Sequence, residues 1–388
     1  MNIIKDLCKN CGINIDEVIT VHDNRLYEQV LKKGSLGLGE SYMRGWWDSI
    51  IPLNDLFNQI AKSKLNSKIN NSYINKIKIL YCYILGYFGY LYNNKKSKEM
   101  AEHHYDIGNE LYKYMLGNYM VYSCGYYDSD NDDIDKAQLN KMHMCANKLK
   151  LEQNMRVLEI GCGWGELSYL LASEYGVKVD AITISEEQYS FCLKNKYHPN
   201  INYHIIDYRD YSPLYKYDRI VSVGMFEHVG YSNYRDFFTI TNQWLNDEGL
   251  FLLHTICGNE SKLIGDSWIN KYIFPNSSIP SMLQITKNVE KIYIIEDVHN
   301  FGTHYAKTLL SWYNNFIKYF DKINQERVIN HKKEFDDTFK RMWSYYLLSC
   351  SGYFQTRDLQ LVQVILSKGI SKGYQRSNLS KFEELYRD

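Results

Sequence analysis

The chain has 388 residues, 45% of them apolar and 15% aromatic, which allows two or three domains with real cores. Lys plus Arg and Asp plus Glu balance at 45 each, so no global positive field draws in nucleic acid. That neutral total argues against a nucleic-acid partner, with local patches left open.

Nine cysteines are odd in number and irregularly spaced. Only Cys8 and Cys11 form a C-x-x-C, and no second pair completes a tetrahedral zinc site, so no metal is expected. The N-terminal stretch MNIIKDLCKNCGINIDEV has no apolar run of the signal-peptide type, and free thiols suit a reducing cytoplasm. The 36 tyrosines reflect a biased composition more than a function.

In chain order, residues 24–33 (NRLYEQVLKK) predict a short amphipathic helix stopped by Gly34. The stretch GSLGLGESYMRGWWD (34–48) is too rich in glycine and aromatics for a regular element. Residues 54–70 and 71–92 have helical character. Within them, ILYCYILGYFGYLY (79–92) is almost wholly apolar or aromatic and flanked by lysines. It falls short of the ~20 residues a spanning helix needs. Two readings stay open: a buried or domain-joining helix, or an interfacial helix with lysines near anionic head groups. Residues 134–150 predict a helix capped by Asp132 or Asp133.

From residue 156 strand-like and helical runs alternate. RVLEI (156–160), VKVDAITI (177–184), INYHII (201–206), DRIVSVG (218–224) and LFLLHTI (250–256) are the strands, with helices from about 164, from about 186 and over 233–246. That rhythm implies right-handed βαβ crossovers and a parallel sheet covered on both faces. KIYIIEDV (291–298) and LQLVQVIL (359–366) are candidate edge strands, with helices near 304–321 and 333–350.

The first strand runs into E-I-G-C-G-W-G, with Glu159 two positions before Gly161. Such a loop lets a ligand approach the backbone at a helix N-terminus. A dinucleotide site would want G-x-G-x-x-G, whereas this is G-x-G-x-G beside a carboxylate. A cationic ligand, the sulfonium S-adenosylmethionine, fits it better than a pyrophosphate. Thr183 stands at the second strand's tip where an acidic ribose ligand is usual in such methyltransferases, and Asp180 faces the other way. Thr183 and Gln188 are therefore the expected ribose or methionine contacts. Asp207 and Tyr208, ending the third strand, suit adenine, although Tyr208 also reads as an ordinary surface tyrosine.

The fourth strand ends in VGMFEHVG (223–230), which puts Glu227 and His228 at an apolar tip. On the pattern alone these are a solvated turn or working groups. His254, set between Leu-Leu and Thr-Ile, is a satisfied core histidine or a ligand.

GSLGLGESYMRGWWD (34–48), HYDIGNELY (104–112), YSCGYY (122–127), VLEIGCGWG (157–165), GMFEHVG (224–230), LLHTI (252–256), WINKYIFP (268–275), HNFG (299–302) and RDLQLVQVILSKG (357–369) occur together here. In that combination the chain resembles the cyclopropane-fatty-acyl-phospholipid synthase family nearly end to end. It departs from the pattern at Arg44, where an acidic residue is common, and over 322–340, which is longer than usual.

The resemblance implies an α/β, Rossmann-like class I methyltransferase domain with a mainly parallel seven-stranded sheet over residues 96–388. A small, mainly helical, lipid-engaging domain would precede it over residues 1–95. The implied reaction adds a methylene from S-adenosylmethionine across a cis double bond of a phospholipid acyl chain, by a homodimer peripherally bound to the inner face of the membrane. The family's cofactor contacts fall on Tyr122, Ser123, Gly161, Cys162, Gly163, Thr183, Ser185, Gln188, Asp207 and Tyr208. Its bound bicarbonate falls on Cys124, Glu227, His254 and Tyr305, with a main-chain contact at Ile256. Cys350 matches a cysteine sometimes assigned to the active site, although no base adjoins it in sequence and a small core residue is the simpler reading. A small-molecule or nucleic-acid methyltransferase would call for an Asn/Asp-Pro-Pro-aromatic motif or a basic groove, and neither is found.

Overall fold

The computed structural model describes residues 2–63 and 107–376. The apolar run 79–92, the start of HYDIGNELY and the expected boundary at 95/96 lie outside the described residues. The described residues form two compact units. One contains the chain up to Met115 together with Gly258–Ile279 and Tyr305–Gln360, and the other Leu116–Cys257, Pro280–His304 and the chain from Leu361.

The second unit holds a seven-stranded sheet in the order β5-β4-β3-β6-β7-β9-β8. Its strands are β3 (Arg156–Ile160), β4 (Lys178–Thr183), β5 (Ile201–Ile205), β6 (Tyr217–Val223), β7 (Leu245–Gly258), β8 (Ile294–Asn300) and β9 (Leu359–Ser367). β3 pairs parallel with β4 and β6, β4 with β5, and β6 with β7, while β8 and β9 are antiparallel. The order reverses between β3 and β6, and it is at such a switch point, in the crevice outside the strands' carboxyl ends, that sheets of this kind bind ligands.

Both faces are buried, which is why the central strands are apolar runs and not alternating ones. Leu158, Ile160, Ile182 and Ile220 point to one face and pack with Phe226, Phe237 and Phe238. Val157, Val179, Ala181 and Val221 point to the other and pack with Met142, Leu170 and Leu171. The same alternation puts Glu159 and Thr183 on the second face and Asp180 on the first. There Asp180 accepts from Tyr215, Tyr217 and Asn202, so it is committed away from the crevice. Helix Ile134–Lys148 is capped by Asp133, whose carboxylate accepts from Lys136 N.

The first unit is mainly helical, with a short antiparallel pair, β1 (Ile19–Val21) and β2 (Trp47–Ser49). Helix Arg25–Lys33 buries Leu26 and Tyr27 and stops at Gly34, whose φ is +59°. The stretch expected to be irregular forms a second helix, Ser35–Met43. Its glycines serve close packing: a Cβ at Gly37 would sit 2.2 Å from Gln29 O, and one at Gly39 would sit 2.3 Å from the Trp268 ring. Beyond Thr303–Lys318 the chain forms the helix Phe320–Ile329 before Asp337–Gln355.

Candidate active site

Three left-handed glycines shape the loop after β3: Gly161 at φ +85°, Gly163 at +56° and Gly165 at +79°. A Cβ at Gly161 would lie 2.8 Å from that of Met225, and one at Gly165 would meet Cys192 Sγ and Tyr203 Oη at 2.8 Å. At Gly163 it would meet no atom of the described residues within 4 Å, so this backbone is open to a close approach. The loop therefore offers an approachable backbone beside the tip of β6, as a close-fitting cofactor requires. Cys162 is buried in the same loop, its thiol held well above the ordinary pKa by Cys192 and by burial.

Glu159 sits beneath that loop, 3% exposed, and accepts from the Ser168 hydroxyl. Burial raises its carboxyl to about 7, against the opposing pull of Ser168 and Lys141. Lys141 is wholly buried, with its pKa pulled down by desolvation, and it donates to Ser123 Oγ at 3.1 Å. A Cβ on Gly224 would lie 3.8 Å from that of Ser123, so the YSCGYY segment passes the tip of β6. Cys124 next to it is buried and donates to Gly125 O at 3.1 Å. Tyr122 is half-buried.

Glu227 lies in the short 3-10 turn Phe226–His228 that follows β6. Its Oε1 accepts from the backbone N–H of Ile256 at 2.7 Å, and its Oε2 is buried without a hydrogen-bond partner among the described residues. Burial raises this carboxyl's pKa, while the N–H groups of Ile256 and of Glu227 itself and the Thr255 side chain pull it back. His254 stands on β7 opposite Val223 of β6, 1% exposed. Burial, helped by Lys141 and Lys148, pushes its pKa well down and keeps the imidazole neutral. Its Nδ1 lies 3.2 Å from Gln363 Nε2, and its Nε2 has no partner among the described residues. An acceptor in the turn after β6 and a ring nitrogen on the neighbouring strand β7 are thus both buried and unsatisfied among the described residues, the state in which a polar group calls for a ligand. His228 is half-buried beside Glu227.

On the β4 side, Thr183 Oγ1 donates to Gln188 Oε1 at 2.9 Å and accepts from Ser185 N, while Ser185 caps the helix Glu186–Asn195 through Gln188 N. These three expected cofactor residues are thus one connected set. Asp207 is gripped by Arg209 through both carboxylate oxygens. Burial raises its pKa, and the Arg209 bonds more than offset that, so it stays ionised. Tyr208 is half-buried edge-on to Phe237, with ring centroids 5.2 Å apart.

Tyr305 and Cys350 belong to the helical unit. Tyr305 packs on Phe354 at 4.6 Å and edge-on to Trp312. Cys350 lies on Asp337–Gln355, where burial and the charge of Asp266 push its thiol up to about 12, so it carries no thiolate at neutral pH. The sequence pattern did not single out Lys141, Lys148 or Gln363. The lysines are seven apart on one helix, a spacing that marks a shared face, but lysine is ordinarily an outward residue.

The family model of mycolic acid cyclopropane synthetase matches residues 92–364. The chain is 40% identical over 375 residues to the cyclopropane-fatty-acyl-phospholipid synthase of Escherichia coli, spanning 96% of this chain and 94% of that one. It is similar in structure to a cyclopropane synthase from Mycobacterium tuberculosis, with a TM-score of 0.63 and 26% identity over 70% of this chain and 98% of the other. A mycolic acid cyclopropane synthase complexed with SAH and CTAB gives a TM-score of 0.61 at 26% identity, covering 69% of this chain and 97% of that one. The chain belongs to the cyclopropane-fatty-acyl-phospholipid synthase family of S-adenosylmethionine-dependent methyltransferases.

Proposed function

We propose that this enzyme transfers a methylene group from S-adenosylmethionine to the cis double bond of unsaturated acyl chains in membrane phospholipids, forming cyclopropane fatty acids, with bound bicarbonate as the proton-accepting base. The observation that carries the reading is the pair of buried, unpartnered atoms, Glu227 Oε2 and His254 Nε2, beside the open glycine loop.

An isolated alkene is a weak nucleophile with no charge to grip. Rate must come from positioning the double bond and from stabilising the cation that develops. Aromatic faces supply ~0.5–2 kcal/mol each toward a desolvated cation. Water must stay out, because it would trap the cation as an alcohol. The closing step then needs a proton acceptor that is held fast, and that is the chemistry bicarbonate supplies.

In this reading Tyr122, Ser123, Gly161, Cys162, Gly163, Thr183, Ser185, Gln188, Asp207 and Tyr208 hold the cofactor. Cys124, Glu227, His254 and Tyr305 hold the base. Ile256 acts through its N–H, which is spent on Glu227. That bond fixes the carboxylate so that Oε2 accepts from the bicarbonate O–H, which removes the conflict between two neighbouring anions. Residues 1–95 engage the bilayer and residues 96–388 carry the chemistry, with the protein acting as a homodimer on the cytoplasmic face. Among the described residues no helix is long and apolar enough to cross a membrane.

The test is incubation of the purified protein with vesicles of unsaturated phospholipid and S-adenosylmethionine, followed by mass spectrometry and proton NMR of the acyl chains. Gain of one CH2 with cyclopropyl protons is expected. A gain without a ring, a hydroxylated product, or no gain defeats the proposal.

A further inference from the structure

Two buried polar side chains, Lys148 and Gln363, run in a line toward His254 on the side away from its unpartnered nitrogen. Lys148 donates from Nζ to Gln363 Oε1 at 2.7 Å and contacts His299 Nδ1 at 3.0 Å. Gln363, fully buried on β9, then presents Nε2 to His254 Nδ1 at 3.2 Å and to Cys145 Sγ at 3.4 Å.

The roles along this line follow from what each group can do. Burial lowers Lys148 to about 8, which leaves it an ammonium at neutral pH. An ammonium donates and cannot accept. It therefore selects the oxygen of the Gln363 amide, because the flipped amide would set N–H against N–H. The amide nitrogen must then face His254, and it too only donates. Nδ1 of His254 has to meet it with a lone pair. A neutral imidazole whose Nδ1 is an acceptor carries its one proton on Nε2.

We infer that Gln363 is a positioning residue that holds His254 as the Nε2–H tautomer, so that the imidazole donates a hydrogen bond to the oxyanion base and accepts no proton itself. The inference rests on the proposed base site, and it divides the labour there. Glu227 Oε2 accepts from the anion's O–H, His254 Nε2–H donates to its charged oxygen, and the remaining oxygen stays free for the substrate's proton. A histidine with the opposite tautomer would turn a lone pair toward the anion and repel it.

The first experiment reads the tautomer directly, by long-range proton–nitrogen correlation on protein labelled with [15N]histidine, with the His254 signals identified by their loss in His254→Asn. The expected spectrum has the proton on Nε2 and a bare Nδ1, whereas a proton on Nδ1 overturns the inference. The second experiment measures Gln363→Leu in carbonate-stripped buffer with added bicarbonate. Loss of one charge-assisted hydrogen bond corresponds to about a tenfold or greater rise in the KM for bicarbonate, with the KM for S-adenosylmethionine unchanged. Equal change in both constants, or in neither, marks Gln363 as merely structural and overturns the inference. If the variant does not fold, the spectrum of the unaltered protein decides alone. A wild-type rate indifferent to bicarbonate defeats the proposed base and the role given to the Nε2–H, while the tautomer still stands or falls on the spectrum.

Discussion

The backbone N–H of Ile256 donates to Oε1 of Glu227 at 2.7 Å, while Oε2 of the same buried carboxyl has no hydrogen-bond partner among the described residues. One oxygen is thus fixed by the strand next door and the other is left for a ligand. Glu227→Gln keeps the shape, and its amide oxygen still accepts from Ile256. Its NH2 then replaces an acceptor with a donor where the base O–H should bind. Turnover is expected to fall by about 10²- to 10⁴-fold, the range for a removed acid–base group, with cofactor affinity nearly intact. Steady-state kinetics beside calorimetric cofactor binding checks this, and parallel loss of both would make the residue structural.

The buried Glu159 makes cofactor binding depend on pH. Its carboxyl is raised by burial to about 7 from an ordinary 4.5. In the unliganded protein it is therefore protonated below about 7, while in the unfolded chain it ionises above about 4.5. Unliganded stability from this group is present at low pH and declines as pH climbs between those values. A cationic cofactor favours the ionised form, so binding expels a proton at pH 5 to 7. Affinity should strengthen with pH by up to about tenfold per unit below 7 and level off above it. Calorimetry in two buffers of different ionisation enthalpy measures the released proton. Glu159→Gln should flatten the profile, and an unchanged slope in that variant refutes the assignment.

The strand–helix rhythm made the sheet legible in the sequence, because parallel strands buried on both faces leave continuous apolar runs that resemble little else. Glu227 and His254 stood out because ionisable groups at strand tips conflict with their apolar surroundings. What stayed hidden was lateral. Nothing in local pattern says that Lys141 and Lys148 point inward, since their burial depends on Ser123 and Gln363, which are 18 and 215 residues away in the chain. The segment 34–48, expected to be irregular, hid the helix Ser35–Met43 for the same reason. Its glycines lower helix propensity, and only contact with Gln29 and Trp268 makes them necessary.

Two glycines of one loop should respond differently to the same methyl group. Gly163→Ala adds a Cβ that meets no atom of the described residues, so the cost is that of a left-handed alanine, about 1–2 kcal/mol. That Cβ enters the space proposed for the cofactor, and affinity for S-adenosylmethionine should drop by at least about tenfold, or about 1.4 kcal/mol. Gly165→Ala carries the same backbone strain and also drives into Cys192 and Tyr203. It should lower the melting temperature further than Gly163→Ala. Thermal unfolding without ligand, compared with cofactor titration, separates the two. Equal melting points with equal affinity losses would contradict this placement of the loop.

In the helical unit, two of the recognised motifs meet each other. Trp268, from WINKYIFP, is 1% exposed and lies over Gly39, from GSLGLGESYMRGWWD. Beside that contact Glu40 is buried and accepts from Lys271 at 2.6 Å and Tyr272 at 3.1 Å. Burial raises the Glu40 carboxyl while Lys271, Lys33 and Tyr272 lower it, for a net value of about 2. A Cβ at Gly39 would stand 2.3 Å from the indole, a backbone-anchored atom against a rigid ring with no room to turn. Gly39→Ala should therefore cost about 1–3 kcal/mol through overpacking, although alanine is the better helix former by about 1 kcal/mol. Packing outweighs propensity here, so the melting temperature falls. A variant as stable as the parent, or more stable, would show that Trp268 is free to move aside.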